Sequence, residues 1–458
     1  MAPSTVSSVS DLRVERKSFK VVYPEKIKER RALFLSNMDQ QVVHYVQKYV
    51  HFFSAPPLIP FDIIIGVHAE ALSKTMVAYD FMCGRLMFNS EQGRFEIDCN
   101  AAGVPLAICV SELSLQELGN LAIPNPAFSQ LCLPSDSSNP TLGDGPLISF
   151  QVTRFKCGAF ALGSSVNHCL MDGFSIQEFA RNFTHMAIKG EPAFIPITDR
   201  TCLKARTPLQ IKYEHEEYVK PSETTPDKII SSLLMRRNKE LWYTKVAANK
   251  ASEKHIYKLF SLSGKMINAL KMKAADGMVK HCTSFVAALA HVWRARAAAM
   301  GNLKPNDVST VHYVADIRSR LVPPLPREYV GNAMAPAYAK ATFRQLEEEP
   351  FGETVKKLQE GVDRLIDEYL RSSIDWLELY DGVPVLENGF HVTNWKNLGF
   401  ADMELRGGIK SLHSGPVLSG GAKVVRFLGH PEDNQGMQLY IGLEASHMNK
   451  FEKLIETI

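Results

Sequence analysis

The pattern of apolar and polar positions predicts strands and helices that alternate along the whole chain. Short apolar runs bounded by turn residues are typical of strands, and apolar residues spaced three and four apart are typical of helices. We predict strands at 18–23, 84–88, 94–98, 147–155, 159–166, 255–262, 313–317, 423–428 and 437–443. We predict helices at 41–53, 63–77, 174–189, 263–275, 283–300 and 351–370. Both halves of the chain therefore mix strands with helices, which predicts an α/β fold.

The length of the chain and one polar stretch predict two domains. A chain of 458 residues exceeds what one hydrophobic core normally serves. Residues 198–226 are polar, proline-containing and heavily charged, which is typical of a long crossover between domains and not of packed structure. We therefore expect an N-terminal domain at 1–197, a crossover linker at 198–228 and a C-terminal domain at 229–458.

Composition and charge exclude several classes of protein. The chain is 45% hydrophobic with a net charge of +3, which is too mild to indicate a nucleic-acid partner. No stretch approaches the roughly 18 apolar residues of a transmembrane segment, and the serine-rich N-terminus lacks the apolar region of a secretory signal. Eight scattered cysteines without a C-x-x-C pair predict reduced thiols and neither a zinc site nor a disulfide framework. We expect a monomeric cytoplasmic protein without a metal or a tightly bound cofactor.

The segment His168-Cys169-Leu170-Met171-Asp172-Gly173 carries the strongest chemical signal. It follows an apolar strand and precedes a helix, so the strand holds the histidine rigidly while its imidazole points into a cavity. Histidine has the unperturbed pKa best suited to proton transfer near neutral pH. Asp172 is placed to orient the following turn or to cap the helix. The motif alone leaves open a structural alternative, in which a buried histidine lies beside an N-capping aspartate.

Further segments accompany this motif in a fixed order. They lie at 78–86, 283–285, 291–296, 316–321, 329–333 and 393–395. Together with His168-x-x-x-Asp172-Gly173 they resemble the plant BAHD acyltransferases, which move an acyl group from coenzyme A to an alcohol or amine. Residues 35–40 and 199–206 look like the branch of ω-hydroxy fatty acid and fatty alcohol hydroxycinnamoyl transferases. That branch also contains eceriferum-type proteins, which assist very-long-chain fatty acid elongation.

The resemblance implies a fold and a mechanism. The fold would be two similar-sized mixed-sheet domains of the coenzyme A-dependent acyltransferase type, with a channel at their interface. His168 would act as general base on the acceptor in a ternary complex with acyl-CoA as co-substrate, without a covalent acyl-enzyme. Asp172 would pair with Arg318 and hold the loop that carries His168. A hydrolase is disfavoured because the sequence lacks a G-x-S-x-G nucleophile elbow.

The resemblance also implies supporting residues. Thr393 and Trp395 would hydrogen-bond the tetrahedral intermediate, with a simple core position as the alternative for Trp395. Asn332 would brace a loop near the site. Thr283 and Ser284 begin a helix where hydroxyl and N–H groups suit a phosphate or pantetheine oxygen. Lys265, on the preceding helix, would meet the nucleotide phosphates of coenzyme A, although a solvated helix face explains such a lysine equally well.

One departure from the family separates two hypotheses of function. The family motif D-F-G-W-G is replaced by Glu404-Leu405-Arg406-Gly407-Gly408, so a bulky cation stands where glycine is usual and a packing tryptophan is missing. The first hypothesis is an acyl-CoA-dependent O-acyltransferase, with N-acyl transfer as a variant and a hydroxycinnamoyl or related aromatic donor. The second is a non-catalytic accessory protein of very-long-chain fatty acid elongation.

Overall fold

The computed structural model describes residues 9–54, 60–134, 145–220, 255–275, 279–301, 303–380, 382–384, 386, 388–396, 398, 404–405, 408–418 and 423–458. The strands are β1 (Val14–Val22), β2 (Arg31–Phe34), β3 (Val46–Phe53), β4 (Arg85–Asn89), β5 (Arg94–Cys99), β6 (Val104–Ser111), β7 (Ile148–Phe155), β8 (Phe160–Asn167), β9 (Tyr218–Val219), β10 (His255–Leu262), β11 (Val308–Asp316), β12 (Met334–Thr342), β13 (Val383–Pro384), β14 (Phe390–Asn394), β15 (Glu404–Leu405), β16 (Ile409–Pro416), β17 (Val424–Gly429) and β18 (Met437–Glu444). The α-helices are α1 (Asn37–Gln40), α2 (Phe61–Ala78), α3 (Gly173–Lys189), α4 (Gly264–Ala275), α5 (Ser284–Ala299), α6 (Phe343–Glu348), α7 (Phe351–Asp363), α8 (Asp367–Tyr380) and α9 (Ala445–Ile455). Short 3₁₀ helices lie at Asp80–Cys83, Gln116–Leu118, Pro126–Leu131 and Thr201–Leu203.

Two mixed sheets organise these elements into two domains. The first sheet has the strand order β1-β6-β7-β8-β3-β16-β15, and the second has the order β10-β18-β17-β14-β11-β12. Each contains both parallel pairs, such as β6 with β7 and β14 with β17, and antiparallel pairs. The small sheet β2-β5-β4 and the pair β13-β9 complete the strands of the described residues. The predicted two-domain α/β fold is confirmed.

A strand from the C-terminal part of the sequence joins the first sheet. Strand β16 comes late in the sequence, yet it pairs antiparallel with β3 of the first sheet and places Gly415 opposite Val50. Strands from 229–458 therefore form an edge of the first sheet as well as all six strands of the second. A domain boundary at 198–228 does not account for β16, which follows that boundary in the sequence but lies in the first sheet.

Each sheet buries its own hydrophobic core. In the second, alternate residues of the strands, among them Val311, Val392 and Leu439, face the alanine-rich helix α5. Because alanine side chains are short, helices α4, α7 and α9 pack closely around α5. Trp293 of α5 is fully buried, and its indole N–H donates to Ser309 Oγ at 2.9 Å. The first core lies between its sheet and helices α2 and α3.

The predicted helix at 41–53 is wrong, since residues 46–53 form strand β3. This strand lies between β8 and β16 in the middle of the sheet, and its residues Val50, Phe52 and Phe53 are buried. A strand that is buried on both faces gives a nearly continuous apolar run, which hydrophobic periodicity does not separate from a buried helix.

Two other predictions need correction. The crossover was expected to be unpacked, but Arg200, Leu203, His215 and Glu217 within it are at most 2% exposed. The predicted helix at 351–370 is two helices, α7 and α8. Between them Leu365 is buried, with 2% of its side chain exposed. Strand β12 and helix α9 were not predicted.

Candidate active site

His168 lies directly after β8, near the centre of the first sheet. Its backbone N–H donates to the carbonyl of Tyr45 at 2.7 Å, and the Tyr45 ring lies 5.7 Å from the imidazole. Burial lowers the pKa of His168, while the carboxylates of Asp172 and Asp39 act in the opposite direction. Since burial is the larger effect, the imidazole is neutral near pH 7 and is able to accept a proton.

Within the described residues, only one nitrogen of this imidazole takes part in a hydrogen bond. Nδ1 lies 3.1 Å from Asn332 Oδ1, and Asn332 Nδ2 donates back to the carbonyl of His168 at 2.8 Å. Within the part of the chain that the structure describes, no hydrogen bond uses Nε2. The half-buried imidazole is therefore held by a hydrogen bond at Nδ1, and Nε2 is available to accept a proton.

The Asp172 carboxylate binds groups that hold the local structure. It is the N-cap of α3 and accepts the backbone N–H of Ser175 at 2.8 Å. Arg318 binds both of its oxygens, with Nη1 2.9 Å from Oδ2 and Nη2 3.0 Å from Oδ1. The backbone N–H of Ala333 donates to Oδ2 at 2.9 Å. No hydrogen bond among the described residues joins Asp172 to the imidazole of His168, so this carboxylate holds the loop and does not orient the ring.

Thr393 and Trp395 form a pair at the end of β14. The indole N–H of Trp395 donates to Thr393 Oγ1 at 3.0 Å, and the Thr393 hydroxyl donates no hydrogen bond to any of the described residues. The Trp395 ring also lies 5.7 Å from the Tyr49 ring of β3 in the first sheet. A Cβ on Gly173 would come within 2.8 Å of Leu398 Cδ1, so the segment after Trp395 lies against the loop of His168.

The residues predicted to meet coenzyme A lie elsewhere on the second domain. Thr283 is the exposed N-cap of α5 and accepts the backbone N–H of Val286 at 3.2 Å, and Ser284 follows it. Lys265 is exposed on α4. No hydrogen bond or ion pair among the described residues joins these side chains to one another or to His168. Arg406, the residue that departs most from the family motif, lies outside the described residues.

Two buried residues at the site were missed by sequence reasoning. Asp39 and Arg200 form a fully buried ion pair, with Arg200 Nη1 3.1 Å from Asp39 Oδ1. Arg200 also donates to the carbonyls of Cys169 and Leu170, each at 2.7 Å, and so supports the loop of His168 directly. A signal was present, because the pattern Ser36-x-x-Asp39 is that of a capping box, and the structure contains one at α1.

A second histidine cluster lies between the crossover and helix α8. His215 Nδ1 is 2.8 Å from Glu217 Oε1, and His215 Nε2 is 2.8 Å from Ser372 Oγ. This order of groups resembles a nucleophilic triad. However, all three side chains are at most 2% exposed, so a substrate does not reach the serine. The cluster fixes the crossover to α8.

The described residues offer neither a metal site nor a membrane span. The described part of the chain holds no group of three or more His, Cys, Asp or Glu side chains arranged to bind a metal ion. It also contains no helix that is long and apolar enough to span a membrane.

Comparisons with known proteins agree with this geometry. Two mixed-sheet domains with a histidine near their contact define an acyltransferase of the coenzyme A-dependent type. The chain matches the Transferase family over residues 12–458. The acyltransferase GLAUCE of Arabidopsis thaliana is 36% identical over 98% of this chain and 96% of its own length. Omega-hydroxypalmitate O-feruloyl transferase of the same plant is 30% identical over 96% of this chain and 92% of its own length.

A solved structure supports the fold. TRI101 of F. sporotrichioides, complexed with coenzyme A and T-2, superposes with a TM-score of 0.73 at 15% identity, covering 93% of this chain and 97% of that one. The chain belongs to the Transferase family, the BAHD acyltransferases. It is an acyl-CoA-dependent acyltransferase that acts on an alcohol or amine.

Proposed function

We propose that His168 is the general base of direct acyl transfer from acyl-CoA to the acceptor. The observation that carries this proposal is the unengaged Nε2 on a neutral, rigidly held imidazole. The acceptor hydroxyl or amine gives its proton to Nε2 as its oxygen or nitrogen attacks the thioester carbonyl. The tetrahedral intermediate then expels the coenzyme A thiolate, which takes the proton back from the imidazolium. No acyl-enzyme forms, so the reaction needs no nucleophilic side chain.

Thr393 is the proposed donor to the oxyanion of that intermediate. Its oxygen accepts the indole N–H of Trp395, which polarises the hydroxyl and strengthens it as a donor. Trp395 acts through Thr393 in this scheme and does not touch the oxyanion itself. A single preorganised donor of this kind contributes about 2.7–4 kcal/mol to stabilising the transition state.

The neighbouring charged residues are proposed to keep this geometry. Asp172 and Arg318 anchor the start of α3, and the Gly331 carbonyl lies within 3.4 Å of Arg318 Nη2. Asn332 holds the imidazole. At the N-terminal end of α5, Thr283 and Ser284 are proposed to hold a phosphate or pantetheine oxygen of coenzyme A, and Lys265 on α4 is proposed to meet its nucleotide phosphates.

The donor is proposed to be a hydroxycinnamoyl or related aromatic thioester, and the acceptor a long aliphatic alcohol or ω-hydroxy acid. The support is the similarity to a relative named for feruloyl transfer to omega-hydroxypalmitate. O-acyl transfer is favoured over N-acyl transfer on the same ground. We further propose that the protein acts as a cytoplasmic monomer with acyl-CoA as its co-substrate and no tightly bound cofactor. No comparison supports the alternative of a non-catalytic accessory protein.

Purified protein mixed with a panel of acyl-CoAs and acceptors tests the proposal. Thiol release and product mass are measured for the wild type and for His168→Ala. We expect acceptor-dependent product from the wild type and a loss of about 10²–10⁴-fold in the variant, the usual contribution of a positioned base. Equal product from both proteins across the panel would refute the proposal. Thioester cleavage that needs no acceptor would indicate a hydrolase instead.

A further inference from the structure

We propose that Asp39 is a positioning residue for His168. Acting through Asn332, its carboxylate fixes the imidazole proton on Nδ1 and leaves Nε2 as the proton acceptor. This inference rests on the proposed role of His168 as base. It assigns the orienting carboxylate to a residue on α1, far from the sequence motif.

The hydrogen bonds of Asn332 fix the orientation of its amide. Asn332 Nδ2 lies 2.8 Å from Asp39 Oδ1 and 2.8 Å from the His168 carbonyl, and both of these atoms only accept hydrogen bonds. The two amide hydrogens are therefore used, and a flipped amide would place its oxygen against two acceptors. The amide oxygen must face His168 Nδ1 at 3.1 Å, so Nδ1 must carry the proton.

Asp39 itself is held from every side. Its Oδ1 also accepts the Asn332 backbone N–H at 3.1 Å, and its Oδ2 accepts the backbone N–H and the hydroxyl of Ser36 at 2.8 Å and 2.7 Å. Arg200 balances its charge at 3.1 Å. Both side chains are fully buried, so water does not compete for these contacts.

The arrangement matters because a neutral imidazole has two tautomers. The tautomer with its proton on Nε2 does not accept a proton from the acceptor, and the hydrogen bond at the other nitrogen decides which tautomer is present. Against the larger effect of burial, Asp172 raises the pKa of His168 most, and Asn332 and Asp39 raise it further, so all three stabilise the imidazolium formed during transfer. What distinguishes Asp39 from Asp172 is its hydrogen bond to Asn332, which fixes the tautomer, since the hydrogen bonds of Asp172 go to Arg318, Ser175 and Ala333.

Three variants test the proposal, and one of them is a matched control. Asn332→Ala removes the acceptor at Nδ1, and Asp39→Asn removes the charge behind it. The control is Asp375→Asn, because Asp375 is also fully buried and paired with an arginine, Arg206 Nε at 2.7 Å, but forms part of the crossover contact. For each variant kcat, KM, the pH dependence of kcat and the unfolding midpoint are measured at a temperature where circular dichroism shows a folded protein.

We expect kcat of Asn332→Ala to fall by up to about 10⁴-fold, the loss seen when tautomer control of a catalytic histidine is removed. KM should change little, and the acid limb of the profile should move to lower pH because a group that raises the pKa of His168 is gone. Asp39→Asn should also lower kcat and move the acid limb to lower pH, each by less than Asn332→Ala does. Asp375→Asn should lose stability while keeping the wild-type kcat and acid limb. Wild-type kcat and acid limb in Asn332→Ala, or the same kinetic losses in Asp375→Asn, would overturn the proposal.

A spectroscopic measurement tests the tautomer without any assay of transfer. In protein labelled with ¹⁵N-histidine, the His168 ring signals are assigned by their absence from His168→Gln. We expect a protonated Nδ1 and an unprotonated Nε2 at neutral pH. A proton on Nε2 would refute the positioning role even if the enzyme is active. The expected tautomer in a protein that transfers no acyl group would uphold the positioning and refute the proposed function.

Discussion

His168 and His215 both lie within buried polar networks, but the networks leave them with opposite capacities. At His168 only Nδ1 is engaged, and Nε2 has no hydrogen bond among the described residues. At His215 both nitrogens are engaged at 2.8 Å, one by Glu217 and the other by Ser372. The second set of residues looks more like a catalytic triad, yet it is closed to substrate. A free nitrogen at an accessible position, not the list of neighbouring residue types, distinguishes a candidate base from a structural histidine.

The groups around His215 are themselves hydrogen-bonded. The His215 cluster is completed by Tyr369, whose hydroxyl donates to Glu217 Oε2 at 2.6 Å, and by the backbone N–H of Lys212, which donates to Ser372 Oγ at 2.9 Å. Every polar group there has a partner from the crossover or α8. His215 also adopts a positive φ of 49°, an uncommon conformation that the tight packing holds in place. We conclude that this cluster stabilises the contact between the crossover and the second domain.

The largest expected effect on stability concerns the ion pair beside His168. Arg318→Met leaves Asp172 as a buried, unpaired carboxylate, so the free energy of unfolding should fall by about 3–5 kcal/mol. Urea unfolding measures the change. The double variant Asp172→Asn with Arg318→Met leaves no unpaired buried charge, so its free energy of unfolding should be higher than that of Arg318→Met alone. Wild-type stability in Arg318→Met would contradict the structural role of the pair.

Next in size is the effect of Thr393 on turnover. Thr393→Val keeps the shape of the side chain but removes the hydroxyl, and we expect kcat to fall by an amount equivalent to about 2.7–4 kcal/mol. The matched variant Trp395→Phe keeps a ring against Tyr49 and removes only the indole donor, so its loss should be smaller, about 0.5–1.5 kcal/mol. A larger loss in Trp395→Phe than in Thr393→Val would place the oxyanion donor on the indole.

The smallest effect on stability is expected at the buried cluster of His215, Glu217 and Ser372. His215→Gln leaves Glu217 and Ser372 with unsatisfied hydrogen-bonding groups, and we expect a loss of about 1–3 kcal/mol in the free energy of unfolding. The value of kcat, measured on the folded protein, should remain that of the wild type. A fall in kcat comparable with that of His168→Ala would abolish the distinction between the two histidines.

Local patterns predicted much of the fold and the centre of the site. An apolar run followed by His168 predicted a strand end, and Asp172 and Gly190 are the two caps of α3 that their residue types indicate. The pairing of Asp172 with Arg318 is present as the family resemblance implied. The strand end and the caps depend on short segments, whereas the pairing of Asp172 with Arg318, 146 residues apart, was implied only by the resemblance.

The features that sequence reasoning missed depend on partners far away in the chain. Strand β3 is apolar on both faces because Phe53 packs into one core and Phe52 into another, and its edge partner β16 comes from the far end of the sequence. The crossover looks polar and exposed, but its Arg206 pairs with Asp375 of α8. In the same way, Asp39 finds Arg200 only in the folded protein. No local pattern of hydrophobic and polar positions contains this information.

The pH dependence of kcat/KM tests most directly whether His168 is a neutral, buried base, since this quantity reports the essential groups of the free enzyme. Burial holds the pKa of His168 below its usual value of 6.5, and lowering the pH through that pKa protonates the acceptor nitrogen and removes activity. We predict a single-proton acid limb with an apparent pKa below 6.5, in a range where circular dichroism shows the protein still folded. An acid limb above 6.5, or kcat/KM independent of pH across this range, would contradict it.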